Sequence, residues 1–445
     1  PIVYQQNHTP TCLLIHTWFS IYAHLTQHQA DRKRLGKSCD SNSPSSRQTQ
    51  SPAVVSQDAW MWEGVQADEV LGTIHALELN PSTDTAKVSS SSGCDLICSY
   101  NWQIGGVEII SPGCVSEWKE IDLPIDLTRA RRHHAPSTDQ LHVPRHSFEP
   151  LFRAVEVMNS GLRFNDVDII CNRNSLRNLI LFSSQRSLQN FRVNLLVVNN
   201  TLFIERCERD ASIIIRGSYD HGFGRAFEKA CITYPEGLGA SSSHHCVLRC
   251  PLGDLSCVLR FELDASYNET KEPGASGSTN VPIDLGAQSL CWKLESLSTD
   301  FPQSRNPKTT HAAESMSQAG LRHQITAAEI KTGVRLKPPN QCMQQLWLGR
   351  TPWLIRGVHS NGTSHKVVVT NVGDSFTEWE EVHQTQLQKL VMTLKQLRSI
   401  AQDLGGGNCV AVFERSLDSQ ILKVFKAVEE KRALPEEMIA RFWGP

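Results

Sequence analysis

Apolar and charged residues alternate most sharply at Arg260-Phe-Glu-Leu-Asp264 and at Ala328-Glu-Ile-Lys-Thr332. Period two predicts strands, with Glu262 and Asp264 on one face of the first and Phe261 and Leu263 on the other. The same rule sets Glu329 beside Lys331. If the two strands pair, three carboxylates and one ammonium converge on one surface. Taken singly, each stretch is also an amphipathic strand with a solvated polar face.

The rest of the pattern predicts a β-rich core with helices around it. Residues 167–171 predict a strand and 176–182 a helix. Residues 191–198 and 201–205 predict a hairpin closed by Asn199-Asn200. A turn at Gly222 and Gly224 leads into a helix that carries Phe227 and Glu228. Downstream, 341–349 predicts a helix, and 353–358 with 366–370 a hairpin around Ser360-Asn361-Gly362. Phe376, Trp379, Leu387, Leu390, Leu394, Leu397, Ala401 and Leu404 form an apolar stripe at helical spacing. Ser375 and Glu378 give that helix a capping-box start, and Gly405–Gly407 ends it. A strand at 409–413, a helix at 417–428 and a short terminal helix at 434–443 follow. Upstream, 60–77 shows weak helical periodicity, 148–158 an amphipathic helix and 212–216 a further strand.

Two regions lack this patterning. Residues 26–58 are dominated by Ser, Gln, Arg and Asp, and 82–93 is Ser/Thr-rich. The reading is a mostly disordered or poorly defined N-terminal region over 1–90 and one large domain over 91–445. Inside that domain, 266–324 is a low-complexity insertion with a short element near 290–297.

Composition narrows the function classes. At 445 residues, 40% hydrophobic and 20% charged, the chain can bury a sizeable core. A net charge of −2 means that any nucleic-acid surface is local. Fourteen cysteines without a framework of short loops point to reduced thiols and an intracellular compartment, nucleus or cytoplasm. Arg32-Lys-Arg34 is a nuclear address or a solvated charge run, and the basic cluster from Arg129 to His134 reads as a surface loop. The early apolar run, 12–25, is too short and polar to span a bilayer, so no membrane association is expected.

Candidate chemistry centres on the carboxylates. Hard cations such as Mg²⁺ or Mn²⁺ take carboxylate oxygens, and a nearby lysine can orient water or offset charge on phosphorus. His244, His245, Cys246, Cys250 and Cys257 offer zinc donors, but the cysteines alternate with apolar residues and read as core of paired strands. The chain has no Asp-Asp pair, which argues against aspartate-rich diphosphate synthases.

Four motifs then occur in order: Gly224-Arg-Ala-Phe-Glu228, Glu262-Leu-Asp264, Glu329-Ile-Lys-Thr332 and Gln345-Leu-Trp-Leu-Gly-Arg-Thr-Pro352. Together with the strand and Arg-x-x-Leu element of 167–176, they resemble the DXO-type decapping nucleases, a eukaryotic family that includes the fungal partner of the nuclear 5′–3′ exoribonuclease. The chain looks like a divergent fungal member. It departs from the family's pattern in its long insertion and in Asn172-Arg-Asn174 around the first arginine.

The resemblance implies an α+β fold: a mixed β-sheet core with flanking helices, restriction-nuclease-like. It also implies a metal-dependent nuclease and pyrophosphohydrolase acting on RNA 5′ ends. On that basis Glu228, Glu262, Asp264, Glu329 and the carbonyl of Ile330 would bind Mg²⁺ or Mn²⁺. Lys331 would act on water, Gln345 on water or the scissile phosphate, and Arg173 on phosphate. A 5′–3′ exoribonuclease is the implied partner. The alternatives are a non-catalytic RNA-binding or exoribonuclease-partner protein of the same fold, and a DNA nuclease with the same site chemistry.

Overall fold

The stretch 328–332 is strand throughout, and 260–264 is strand as far as Glu262, in the computed structural model, which describes residues 2–5, 58–103, 108–127, 144–209, 222–235, 237–239, 241–269, 290–293, 325–403, 407–415 and 420–444. These belong to one compact unit. In chain order, strands β1 (Ile2–Gln5), β2 (Val65–His75), β3 (Asp95–Gln103), β4 (Glu108–Ser111), β5 (Glu117–Trp118) and β6 (Ile125–Asp126) precede helix α1 (Glu149–Met158). Next come β7 (Ile169–Asn172), α2 (Arg173–Ser183), β8 (Phe191–Val198), β9 (Thr201–Arg206), α3 (Gly224–Cys231) and β10 (Ile232–Thr233). β11 (Ser241–Leu252), β12 (Leu255–Glu262), β13 (Ala265–Ser266), β14 (Leu290–Lys293), β15 (Ala327–Gly333) and α4 (Met343–Leu348) follow. The chain closes with β16 (Trp353–Ser360), β17 (Thr363–Asn371), α5 (Phe376–Asp403), β18 (Asn408–Phe413), β19 (Ile421–Ala427) and α6 (Glu436–Trp443).

The strands make two mixed sheets. The larger has the order β14-β4-β3-β11-β12-β7-β9-β8-β18-β19-β2. The smaller has the order β1-β17-β16-β15-β13-β5-β10, with β6 also on β17. Parallel pairs, such as β12 with β7 and β15 with β16, sit among antiparallel ones. The α+β expectation of a mixed-sheet core with flanking helices therefore holds.

Period-two alternation explains how the larger sheet is covered on both faces. Ile169, Leu248 and Leu259 pack with Leu179 of α2, Leu346 of α4 and Leu390 and Leu394 of α5. Their neighbours Ile170, Val247 and Val258 face the other way, against Phe152 of α1 and Phe442 and Trp443 of α6. The smaller sheet buries Ile330, Ile355 and Val367 with Phe227 of α3. The hairpin β16–β17 turns at Asn361 (φ 51°) and Gly362 (φ 98°), the positive dihedrals its Asn-Gly pair predicts.

Several expectations need correction. The stretches 260–264 and 328–332 do not pair directly: β12 ends in the larger sheet, the chain crosses at Leu263-Asp264, and Ala265 of β13 pairs with Ala328. Residues 65–75 form strand β2 on β19 instead of a helix, so folded sequence starts ahead of residue 91. Residues 421–427, expected as part of a helix, are strand β19 between β18 and β2. The insertion cannot begin at 266, because β13 joins β15 to β5 and Tyr267 is 5% exposed against Trp353. The short element near 290–297 is β14, on the sheet edge beside β4. Reduced thiols were expected throughout, yet Cys94 and Cys250 form a disulfide, their Cα atoms 4.5 Å apart. Among the described residues, nine other cysteines are free. Residues 12–25, 32–34, 129–134 and 212–216, and all of 26–58 except Asp58, lie outside the described residues. Among the described residues, no helix is long and apolar enough to cross a membrane.

Candidate active site

The crossing between sheets gathers the predicted carboxylates. β12 delivers Glu262 at its end, the crossing holds Asp264, and β15 brings Glu329 and Lys331 from the neighbouring sheet. Phe261 and Leu263 are buried in the core under the larger sheet, which leaves Glu262 and Asp264, both half-buried, on the alternate side. Glu228 arrives on α3. That helix docks through Phe227, whose ring sits over Gly357 so closely that any Cβ on residue 357 would overlap it. Gln345 comes from α4 and Arg173 from the first turn of α2.

Glu329 is the hub, 2% exposed. Its Oε1 accepts hydrogen bonds from Lys331 Nζ and Gln345 Nε2. Its Oε2 accepts from Arg173 Nη2 at 3.3 Å. The same Nη2 donates to the carbonyl of Glu262 at 3.2 Å, and the guanidinium lies 4.9 Å above the Phe261 ring. Asp264 Oδ2 accepts from the amide of Ile330 at 2.8 Å, tying the crossing to β15.

Electrostatics divide the carboxylates into two groups. Burial, then the charges of Glu262 and Glu329, push Glu228 up to about 7. Burial, then Asp264 and Glu329, push Glu262 up to about 7. Asp264 is raised well above the ordinary carboxylate range by burial and by Glu329. Glu329 goes the other way: burial works to raise it, but Lys331 and Arg173 hold it below its ordinary value. Burial pulls Lys331 down, and Glu329 and Asp264 more than offset that.

A divalent cation suits this donor set chemically. All donors are hard oxygens, and the raised carboxylates are ones that a cation in their midst would favour in ionised form. They are not drawn into a finished cage. Among the described residues, no three His, Cys, Asp or Glu side chains are grouped tightly enough to hold a metal ion. Glu329 is engaged by its three cationic and amide partners instead. The zinc alternative finds no site either: His244 Nδ1 meets Asn101 Oδ1 at 3.1 Å, and its Nε2 meets Cys246 Sγ at 3.3 Å. Cys246 and Cys257 are buried in the core, as their alternation predicts.

Two neighbours were missed. His245 stands directly opposite Glu262 across β11 and β12 and stacks on Tyr100 with ring centroids 5.2 Å apart. The signal was there in the strand alternation, but it needed the pairing register. Arg177 interacts electrostatically with Glu329 and Arg173. The expected helix, 176–182, left Arg173 out; only because α2 begins at Arg173 do the two arginines fall at i, i+4 on one face.

A family model described as "Domain of unknown function (DUF8563)" matches residues 70–443. The chain belongs to this DUF8563 family. No curated protein matches it. Among solved structures, Scheffersomyces stipitis Rai1 in complex with (3′-NADP)+ and calcium ion is similar with a TM-score of 0.54 at 12% identity, covering 83% of this chain and 99% of that one. Candida albicans Rai1 in complex with pU5-Mn²⁺ is similar with a TM-score of 0.51 at 12% identity, covering 83% and 98%. This DUF8563 chain therefore has the Rai1 fold, and the resemblance to decapping nucleases drawn from its motifs holds at the level of the fold.

Proposed function

We propose that this chain is a divalent-metal-dependent hydrolase of RNA 5′ ends, removing incomplete or non-canonical caps or 5′ phosphate groups. The observation that carries the reading is the convergence of Glu228, Glu262, Asp264 and Glu329 with Lys331 and Gln345 at one junction between sheets. The similar Rai1 structures with pU5-Mn²⁺ and with a dinucleotide and calcium support the same ligand classes here. A DNA substrate would suit the same site chemistry, and the RNA reading rests on that likeness. The exoribonuclease partner rests on the motif resemblance.

Glu228, Glu262, Asp264, Glu329 and the Ile330 carbonyl would hold Mg²⁺ or Mn²⁺. A bound cation of this kind acidifies water and offsets charge on a phosphoryl group. Lys331 is 46% exposed at its side chain, so its ammonium can leave Glu329 for a phosphoryl oxygen or an attacking water. Gln345 Nε2 is an amide donor fixed on the same carboxylate, placed to orient that water or the scissile phosphate. Arg173 Nη2 is held on Glu329 and the Glu262 carbonyl, and a phosphate role for this arginine rests on the motif resemblance.

A second reading is a non-catalytic RNA-binding protein of the same fold. It is favoured by the engagement of Glu329 with Lys331, Gln345 and Arg173 and by the open spacing of the carboxylates. The test is purified protein with Mg²⁺ or Mn²⁺ against RNAs bearing triphosphate, unmethylated-cap, methylated-cap and dinucleotide-cap ends, with matched DNA. Release of a 5′-end product from at least one RNA supports the hydrolase. RNA binding without release from any of them gives the non-catalytic reading its place.

A further inference from the structure

The Cys94–Cys250 disulfide fastens the start of β3 to β11, beside the paired Asp95 and Arg249. Its two cysteines are only 7% and 8% exposed. One side of the bond is nonetheless approachable. A surface cavity of about 320 Å³ is lined by Cys250, with Asp95, Arg249, Pro251, Asp254 and Ser256, and not by Cys94. On the inner side, Cys94 Sγ accepts a hydrogen bond from Arg350 Nε at 3.4 Å. Attack from the cavity therefore expels Cys94 as a thiolate facing a buried guanidinium, and a thiolate stabilised in this way leaves faster.

Arg350 also grips α4. Its Nη1 donates to the Trp347 carbonyl at 2.6 Å, and its guanidinium lies 4.4 Å above the Trp347 ring. Trp347 Nε1 donates to Glu380 of α5 at 2.6 Å. The same carboxylate accepts from the Ser90 amide at 2.8 Å and from Ser89 Oγ at 3.0 Å, just ahead of Cys94. α4 has only six residues, and Gln345, on Glu329, lies within the turn that Trp347 anchors. The bond thus pins a segment that bears on both holders of α4, Arg350 and Glu380.

We propose that Cys94–Cys250 is a thiol–disulfide exchange site for a dithiol reductant, entered at Cys250, and that opening it loosens α4 and with it Gln345. The effect on hydrolysis rests on the function proposed above. One thiolate of the dithiol attacks Cys250 Sγ; a mixed disulfide forms there, the Cys94–Cys250 bond breaks, and its electron pair goes to Cys94 Sγ. The second thiol then displaces Cys250 as a thiolate and closes the reductant's own disulfide. The dithiol supplies two electrons, and the two protons it gives up go to the cysteines.

The test uses the full folded chain well below its melting temperature. Brief treatment with glutathione, an acid quench and mass mapping should find the mixed disulfide on Cys250 and the free thiol on Cys94. An adduct on Cys94 instead, or reduction no faster than global unfolding, overturns the exchange site. Amide hydrogen exchange over 343–348 is then compared between oxidised protein, protein reduced with dithiothreitol and freed of it, and the double variant Cys94→Ser with Cys250→Ser. Both open forms should exchange about fivefold faster or more. Their kcat for 5′-end release should fall about fivefold or more per folded molecule. The gain in melting temperature with Mn²⁺ should persist, since the carboxylates do not lie on α4. If the double variant fails to fold, the reduced wild type decides. Unchanged exchange over 343–348 overturns the loosening and leaves the hydrolase reading standing, as does unchanged kcat. Faster exchange with no release from any RNA in either state keeps the switch and overturns the hydrolase reading.

Discussion

Glu228 and Glu262 hold a proton to about 7, against an ordinary 4.5. The sign of the consequence follows from linkage. Between those values the unfolded chain has released its protons and the folded one has not, so folded stability falls as pH rises from about 4.5 to about 7. Metal-free protein should therefore melt at a higher temperature at pH 5 than at pH 7.5, as far as these two groups govern it. Glu228→Gln with Glu262→Gln should flatten that slope, and an unchanged slope in the double variant contradicts the assignment. Much of this site was legible residue by residue, because alternation alone placed Glu262 with Asp264 and Glu329 with Lys331. Arg177 was not, since an arginine on a helix face reads as solvated until its neighbours are known.

Elements decide how accurately those residues are held. α3 carries Glu228, and its docking depends on the close approach of Phe227 to Gly357. Gly357→Ala should cost about 1–3 kcal/mol, typical of overpacking a filled core. It should also lower hydrolysis more than the lost folded fraction explains, because α3 must shift; a variant with wild-type activity per folded molecule contradicts this. α5 is different. Leu394 is fully buried in the core far along a 28-residue helix that contributes no site residue. Leu394→Ala should cost about 2–5 kcal/mol with little change in activity per folded molecule. Urea unfolding beside a single-turnover assay separates the two cases. α5 was readable from its stripe, as were the two Asn-containing hairpins. β2 and β19 were not: they pair with each other, Ile421 opposite His75, across nearly the whole chain. A short apolar stretch of mixed period gives no local sign of a partner so far away.

For the whole molecule, the proposed chemistry depends on the junction where the chain passes from β12 in one sheet to β13 in the other. The low-complexity composition of 294–324 predicts that this segment is dispensable. Its removal should leave the melting temperature within a few degrees of wild type, whereas a deletion that also takes β13 should abolish soluble folded protein. Sequence composition set the start of the expected insertion too early, because Ala265 and Ser266 are small, unremarkable residues that nonetheless form a strand, β13, joining β15 to β5. The central claim is that the junction binds a divalent cation for catalysis, and thermal melting with and without Mn²⁺ tests it most directly. Wild type should gain stability with Mn²⁺ by mass action. Asp264→Asn should lose most of that gain and be the more stable protein without metal, while Lys331→Ala should keep the gain and lose 5′-end release. A wild type whose melting temperature does not move at millimolar Mn²⁺, or an Asp264→Asn protein that gains as much as wild type, would contradict the account.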